Sequence, residues 1–105
     1  MTGRMSRNKG AAGERELAKI LADELGIEVQ RKLGQARDGG DDIQVGKYRL
    51  EVKRREALRL DDWCEQIQAA AAPGEWPVVV YRRNGQPWRA VVPLELLIKA
   101  MREEL

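Results

Sequence analysis

The chain has 105 residues, of which 43% are hydrophobic and 34% are charged, and this composition fits one globular domain with a well-solvated surface. It contains no histidine and one cysteine, which excludes histidine-based catalysis, zinc sites with histidine ligands, an internal disulfide and a Cys-rich zinc site. No apolar run approaches the roughly 20 residues of a membrane span, and no secretory signal is present, so we expect a cytoplasmic protein.

The first half of the chain predicts one helix followed by three strands. Residues 1–9 are basic and lack hydrophobic periodicity, so we expect a flexible basic arm at 1–9 and a single domain at 10–105. Apolar residues at helical spacing predict a helix over 10–25, which Gly26 ends. Further along we expect strands at 27–33, 42–45 and 48–54, a glycine-bearing loop at 34–40, and a tight turn at 46–47.

The second half predicts a helix, a hairpin and a last helix. Asp61 is a plausible N-cap for a helix that ends near Ala72, before Pro73-Gly74. We then expect a strand at 76–81 that is buried on both faces, a turn at Asn84-Gly85, a strand at 88–92 and a helix at 94–104. The order α-β-β-β-α-β-β-α indicates an α/β fold with one mixed sheet flanked by helices.

Acidic residues on two neighbouring strands carry the strongest chemical signal. Asp41-Asp42 opens one expected strand, and the run Glu51-Val52-Lys53 lies on the next. Strand side chains alternate between faces, so Glu51 and Lys53 share a face, and only one of the two aspartates can join them. The alternation alone leaves open which of the two it is. Two carboxylates on adjacent strands could hold Mg²⁺, and Lys53 could orient a water or stabilise transition-state charge.

A third carboxylate is expected from the first helix. Glu14 lies at the head of an apolar stripe that continues through Ala18, Leu21 and Leu25. It could complete a metal site or pair with Lys53, or it could simply favour the helix N-terminus through the dipole. The E-x-K triplet alone is also common on half-exposed strands, so its meaning depends on whether these carboxylates converge.

Basic residues surround the acidic positions. Residues 1–55 carry 13 Lys/Arg and 9 Asp/Glu, a net charge of +4, whereas residues 56–105 carry 6 and 8, a net charge of −2. Solvated surface charge explains such a pattern, but so does a polyanion that must approach carboxylates. The candidate nucleic-acid contacts are Arg7, Lys9, Arg15, Arg37, Arg54 and Arg55.

The run Arg7-Asn8-Lys9-Gly10-Ala11-Ala12-Gly13-Glu14-Arg15-Glu16-Leu17 resembles the first-helix motif of archaeal-type Holliday junction resolvases. These enzymes belong to the PD-(D/E)xK nuclease superfamily, and the resemblance covers about residues 7–82. Strings at 35–40, 63–66 and 77–85 are similar to small phage-encoded and prophage-encoded relatives. The chain departs from the family pattern at Asp41, where the motif has a proline. Asp42 is the better match to the motif's aspartate, because it precedes the apolar Ile43.

The resemblance implies a restriction-endonuclease-like core of order α-β-β-β-α-β, with a strand and a helix added at the C-terminus. It implies a metal-dependent DNA endonuclease in which Glu14, Asp42 and Glu51 bind Mg²⁺, with Mn²⁺ able to substitute, and Lys53 assists the attacking water. Gln66 matches a helix glutamine that often faces such sites, although an ordinary polar helix residue is as good an explanation.

The resemblance also implies branched DNA, such as a four-way junction, as the substrate in recombination or repair, and a bacterial, prophage or phage-encoded context. Resolvases of this kind are homodimers, and the last helix, through Leu97, Ile98 and Met101, could supply the interface. We expect no membrane partner and no small-molecule substrate. The rival hypotheses are a non-catalytic nucleic-acid-binding module on the same fold and a regulatory protein that binds another protein through its last helix.

The remaining singled-out residues have structural explanations. Trp63, Trp76 and Trp88 are expected to pack in the core or an interface rather than stack on bases. Cys64 is expected to be inert, and Arg82 and Arg83 could touch a phosphate or simply belong to a solvated turn.

Overall fold

A computed structural model describes the backbone of residues 2–32 and 42–105, and the side chains of residues 11–29 and 43–105. Its three helices are α1 (Thr2–Leu25), α2 (Leu60–Ala70) and α3 (Leu94–Glu104). Its five strands are β1 (Gln30–Lys32), β2 (Asp42–Val45), β3 (Tyr48–Arg54), β4 (Trp76–Arg82) and β5 (Arg89–Val91).

The strands form one mixed sheet in the order β1-β2-β3-β4-β5. β3 and β4 are parallel, because α2 crosses over between them, and the other neighbouring pairs are antiparallel. The C-terminal ends of β3 and β4 therefore meet at the same edge of the sheet. This architecture confirms the α/β fold and is compatible with a restriction-endonuclease-like core.

Helices cover both faces of the sheet, and each face has its own apolar cluster. On the α1 face, Leu17 packs with alternate strand residues. The buried members of that cluster are Leu17, Ile43, Leu50, Val52 and Val78. On the α2 face, Trp63, Ile67 and Val79 form the second cluster. Because neighbouring strand residues point to opposite faces, these clusters place odd-numbered residues of β3 and β4 on the α2 face.

The sequence predicted β2, β3 and α3 at the bounds that the structure shows, but other bounds differ. α1 begins at Thr2, not at residue 10, so the segment expected to be an arm is helical. Once a helix is nucleated, adding further residues costs little free energy, and residues 1–9 contain no proline to stop it. β1 is shorter than the expected strand at 27–33, and the expected loop at 34–40 lies outside the described residues.

Two local predictions in the second half were wrong. Asp61 is not the N-cap of α2, since Arg59 takes that position without a side-chain hydrogen bond and Asp61 lies in the first turn. β4 is buried on both faces only at Val78 and Val79, because its two ends are only half covered. α2 ends at Ala70, two residues before the expected end near Ala72, and α3 begins directly after Pro93, as expected.

α3 exposes an apolar stripe. Its residues Leu94, Leu97, Ile98 and Met101 keep between 38% and 64% of their surface exposed, while Leu96 packs against the α1-side cluster. None of the helices in the described part of the chain is long and apolar enough to span a membrane.

Candidate active site

Glu51 and Lys53 lie two residues apart on β3, and both point toward α2. Lys53 Nζ is 3.1 Å from Glu51 Oε1. Lys53 is 3% exposed and Glu51 is 7% exposed. The structure thus confirms that the two side chains share a face, as the alternation along the strand predicted.

The α2 helix supplies the cover over this ion pair. Trp63 is buried on the sheet-facing side of α2, and Lys53 Nζ lies 5.9 Å from the centroid of its ring. This distance is within the range of a cation–π contact. The Trp63 ring is in turn 6.2 Å from the Tyr81 ring on β4. The ammonium group therefore lies between a carboxylate and an aromatic face.

Asp42 pairs with Glu51 across the β2–β3 ladder. In the backbone register Asp42 is the direct partner of Glu51, and Ile43 is the partner of Leu50. Partners that lie directly opposite in an antiparallel pair are the nearest cross-strand neighbours. The side chain of Asp42, and all of Asp41, lie outside the described residues.

Glu14 is the most buried charged residue in the described part of the chain, with 2% of its surface exposed. It lies on α1 next to Gly13, where the helix comes very close to β3. A Cβ atom added at Gly13 would lie 2.9 Å from Arg54 Cβ. The glycine therefore allows α1 to approach the end of β3 more closely than any other residue would.

Among the residues whose side chains are described, the buried polar or charged ones are Glu14, Glu51 and Lys53. All three belong to the set that the sequence singled out for metal-dependent chemistry. No group of three or more metal-ligating side chains occurs among the described residues, which do not include the side chain of Asp42. Carboxylate oxygens are the ligands that hard divalent cations prefer, so Glu14 and Glu51 are chemically suited to such an ion.

The remaining site candidates are spread over the surface. Gln66, on α2, has an exposed side chain, as does Arg15 on α1. Arg54 and Arg55 are half-buried at the end of β3, and Arg54 Nη2 donates a 3.4 Å hydrogen bond to Asn84 Oδ1. The side chains of Arg7, Lys9 and Arg37 lie outside the described residues.

An ion pair that no sequence pattern predicted joins α1 to the end of β4. Arg82 donates two hydrogen bonds to Glu16, from Nε to Oε2 at 2.9 Å and from Nη2 to Oε1 at 2.8 Å. Its guanidinium also lies over the Trp88 ring, with Cζ 5.4 Å from the centroid. The partners are 66 residues apart, so no local pattern could have indicated this bidentate clamp.

The ion pair shifts the pKa values of both of its residues. The hydrogen bond from Arg82 lowers the pKa of the Glu16 carboxyl below its ordinary value of 4.5, and the charges of Arg82 and Arg54 add to this effect, although partial burial opposes it. The same hydrogen bond raises the pKa of Arg82. Arg82 is therefore bound within the protein rather than presented to a phosphate.

Two of the tryptophans and the cysteine behave as expected. Trp63 belongs to the α2-side cluster, and Trp88 packs against the α1-side cluster. Burial, and secondarily the charge of Asp61, raises the pKa of the Cys64 thiol. The thiol is therefore less reactive than a free cysteine, since the thiolate is the nucleophile.

Comparison with known proteins adds one finding. Residues 5–104 match the sequence model of the family described as "Phage putative PDDEXK endonuclease". Neither the curated proteins nor the solved structures gave a match. The family match covers nearly the whole chain, and it agrees with the buried Glu51-x-Lys53 pair on β3. The chain therefore belongs to this phage PD-(D/E)xK endonuclease family, whose members are described as nucleases.

Proposed function

We propose that the protein is a Mg²⁺-dependent DNA endonuclease whose ion is held by Glu14, Asp42 and Glu51, with Lys53 assisting the attacking water. One observation carries this proposal. The buried charged residues in the described part of the chain are Glu14, Glu51 and Lys53, which are three of the five catalytic candidates from the sequence.

The energetics of burial support a functional reason for these charges. Removing a charged group from water costs several kcal/mol even after relaxation, and a single ion pair rarely recovers that cost. Lys53 Nζ lies 3.1 Å from Glu51 Oε1 and 5.9 Å from the centroid of the Trp63 ring, so the two charges are held at fixed positions in a desolvated region. A small core that needed only stability would gain as much or more from apolar residues at these positions.

The register supports Asp42 rather than Asp41 as the aspartate of the site. Asp42 is the direct backbone partner of Glu51, so its neighbour Asp41 would point to the opposite face. Asp41 stands where the family motif has a proline, but the aspartate of the motif is still matched by Asp42.

When bound, Mg²⁺ supplies a Lewis acid that polarises the scissile phosphate and lowers the pKa of a coordinated water. Mn²⁺, with the same preference for oxygen ligands, should substitute. Lys53 donates hydrogen bonds, so it can orient the attacking water or neutralise charge that develops on the phosphate. Trp63 excludes bulk water from one side of that ammonium, which strengthens its electrostatic effect.

The basic residues provide the approach for DNA. Arg15 is exposed on the turn of α1 that carries Glu14, and Arg7, Lys9, Arg37, Arg54 and Arg55 are the further candidates for phosphate contacts. Gln66 is the candidate to hold substrate or water from α2. Cationic side chains are needed here, because the phosphodiester must approach a group of carboxylates.

Branched DNA is the substrate class that we propose, and a homodimer is the assembly. The exposed stripe Leu94, Leu97, Ile98 and Met101 supports self-association through α3. A two-fold dimer would present two sites to a symmetric four-way junction, as paired cuts require. The oligomeric state can be measured by light scattering. Leu97→Glu should convert a dimer to a monomer, and a wild-type monomer at all concentrations would rule the assembly out.

Cleavage of a four-way junction, a flap, a single strand and a linear duplex tests the function, in Mg²⁺, in Mn²⁺ and in EDTA. We expect metal-dependent cleavage that is fastest on branched DNA. Glu51→Gln and Lys53→Met should lower the rate by about 10²- to 10³-fold. The control is Lys99→Met, which breaks an exposed ion pair with Glu103 on α3 and should leave the rate unchanged.

Undiminished cleavage by both site variants would falsify the site assignment. If wild type cleaves none of the four substrates, shows no Mg²⁺ binding by calorimetry and still binds DNA in a salt-sensitive manner, the protein is a non-catalytic binding module. Equal rates on linear and branched DNA would remove the branch preference and leave the nuclease activity in place.

A further inference from the structure

A cavity of about 250 Å³ opens at the C-terminal end of β4, on the side of the β4–β5 hairpin. Its lining consists of Leu58, Tyr81, Arg82, Arg83, Gln86, Pro87 and Arg89. The volume is somewhat below the roughly 300–1,000 Å³ of small-molecule pockets. It can therefore take a phosphate with a sugar or a base rather than a large ligand.

The cavity adjoins the proposed catalytic lysine along one row of the sheet. Lys53 on β3 is the register partner of Tyr81 on β4, and Tyr81 is the partner of Arg89 on β5. Register partners share a face of the sheet, so the three residues lie side by side on the α2 face. With strands about 4.8 Å apart, Lys53 and Arg89 are separated by roughly 10 Å. That distance is about three nucleotides at a rise of roughly 3.4 Å for each.

The lining combines positive charge with apolar and aromatic surface. It contains three arginines and no acidic residue. The guanidinium of Arg82 already donates two hydrogen bonds to Glu16, so it is engaged within the protein. Arg83 and Arg89 are exposed, and so both are accessible to an anion. Leu58 and Tyr81 pack on the α2-side cluster and give the cavity an apolar wall.

We infer that this cavity, which we name the hairpin pocket, is a subsite for a nucleotide of the cleaved strand within about three nucleotides of the scissile phosphate. Arg83 and Arg89 neutralise its phosphate, and Tyr81 and Leu58 contact its sugar or base. An apolar wall beside paired guanidinium groups suits a nucleotide, which carries both an anionic and a flat apolar part. The inference rests on the proposed nuclease function and extends it to the path of the DNA across β5.

Equilibrium binding of a labelled linear duplex in EDTA tests the subsite without cleavage. The variant is the double substitution Arg83→Gln and Arg89→Gln. We expect its affinity to fall about 10-fold at low salt, and the slope of log K against log salt to become shallower by about 2, one for each lost phosphate contact. The matched control is Arg102→Gln on the last turn of α3, which should change affinity less than two-fold. Thermal melts of both variants verify that they fold.

A second measurement locates the contact along the strand. Single neutral methylphosphonates are placed at successive positions around the cleavage point, and the cleavage rate is measured for wild type and Arg89→Gln. At the contacted position, Arg89→Gln should cleave the modified substrate as fast as wild type does, because the phosphate charge that Arg89 neutralises is already absent. We expect that position within about three nucleotides of the cut.

Two results would overturn the inference. One is an affinity and salt slope for the double variant equal to those of wild type, or to those of Arg102→Gln. The other is that the position at which Arg89→Gln causes no further loss of rate lies well beyond three nucleotides from the cut. These failures are distinguishable from failure of the nuclease proposal, in which wild type does not cleave at all while the binding experiment still reports on the hairpin pocket.

Discussion

Two ion pairs lie toward the same end of the central strands, and they differ in almost every physical respect. Arg82 and Glu16 meet through two hydrogen bonds of 2.9 and 2.8 Å, with the Glu16 side chain 36% exposed. Lys53 and Glu51 meet through one contact of 3.1 Å, and both side chains are less than 10% exposed. The first pair joins α1 to β4, whereas the second joins two positions of the same strand.

We propose that the first pair is structural and that the second is functional. Glu16–Arg82 has the bidentate geometry and the modest desolvation that let an ion pair stabilise a fold. Glu51–Lys53 joins two residues of one strand, and its ammonium also contacts the Trp63 ring of α2. Both charges are buried, which is costly. Buried charges of this kind are candidates for chemistry that needs desolvated groups, which is the role proposed above for Glu51 and Lys53.

The first prediction compares the effects on cleavage rate and on stability of substitutions in each ion pair. The double variant Glu51→Gln with Lys53→Met should lose about 10²- to 10³-fold in cleavage rate. Its stability should stay level or rise, because apolar or neutral groups often replace a buried ion pair without loss. Glu16→Gln should show the opposite behaviour, with a lower melting temperature and a cleavage rate within a few-fold of wild type. Denaturation and single-turnover cleavage measure both quantities.

Other outcomes would show that the two ion pairs do not divide into a structural pair and a functional pair. A double variant of Glu51 and Lys53 that melts far below wild type would show that this pair holds the fold together. A Glu16→Gln protein that is fully folded and inactive would place the clamp in the catalytic machinery.

The second prediction concerns Gly13, which sets the distance between α1 and β3 and precedes both Glu14 and Glu16. Gly13→Ala puts a Cβ 2.9 Å from Arg54 Cβ. Overpacking costs about 1–3 kcal/mol, while the better helix propensity of alanine returns about 1 kcal/mol. We expect a net loss of up to about 2 kcal/mol in the free energy of unfolding, measured in urea.

The control for that substitution is the same change in an Arg54→Gly background, which lacks the opposing Cβ. There Gly13→Ala should stabilise the protein through helix propensity. Equal destabilisation in both backgrounds would mean that the close approach at Gly13 is not the cause.

The third and smallest effect is the pH dependence of the clamp. Because the folded-state pKa of Glu16 is lowered, its ion pair stabilises the protein fully above the ordinary value of 4.5, and this contribution is lost as the pH falls through the lower folded pKa. Glu16→Gln should therefore melt a few degrees below wild type at neutral pH, and the difference should shrink in acid. Scanning calorimetry across this range measures it.

Glu103→Gln is the matched control for the clamp, because its ion pair with Lys99 is exposed and joins residues one helical turn apart. Such pairs contribute little to stability. A pH-independent deficit for Glu16→Gln would assign its effect to packing rather than to charge.

The sequence was sufficient for features that depend on neighbours in the chain. Alternation along 48–54 placed Glu51 and Lys53 on one face, and the bounds of β2, β3 and α3 follow from turn residues and apolar spacing. The start of α1 was missed, because hydrophobic periodicity reports only the part of a helix that packs. The Glu16–Arg82 clamp and the hairpin pocket depend on contacts between distant segments, which no local pattern contains. Convergence of Asp42 with Glu14 and Glu51 stays a prediction.

The shape of the sheet has a consequence for the behaviour of the protein at high concentration. Its outer strands β1 and β5 are three residues long, with the sequences Gln-Arg-Lys and Arg-Ala-Val. Unpaired strand edges are templates for fibril growth, and short edges that carry basic residues suppress it, since like charges repel an incoming copy. Aggregation by strand addition is therefore disfavoured at both margins, and the chain can accumulate without polymerising edge to edge.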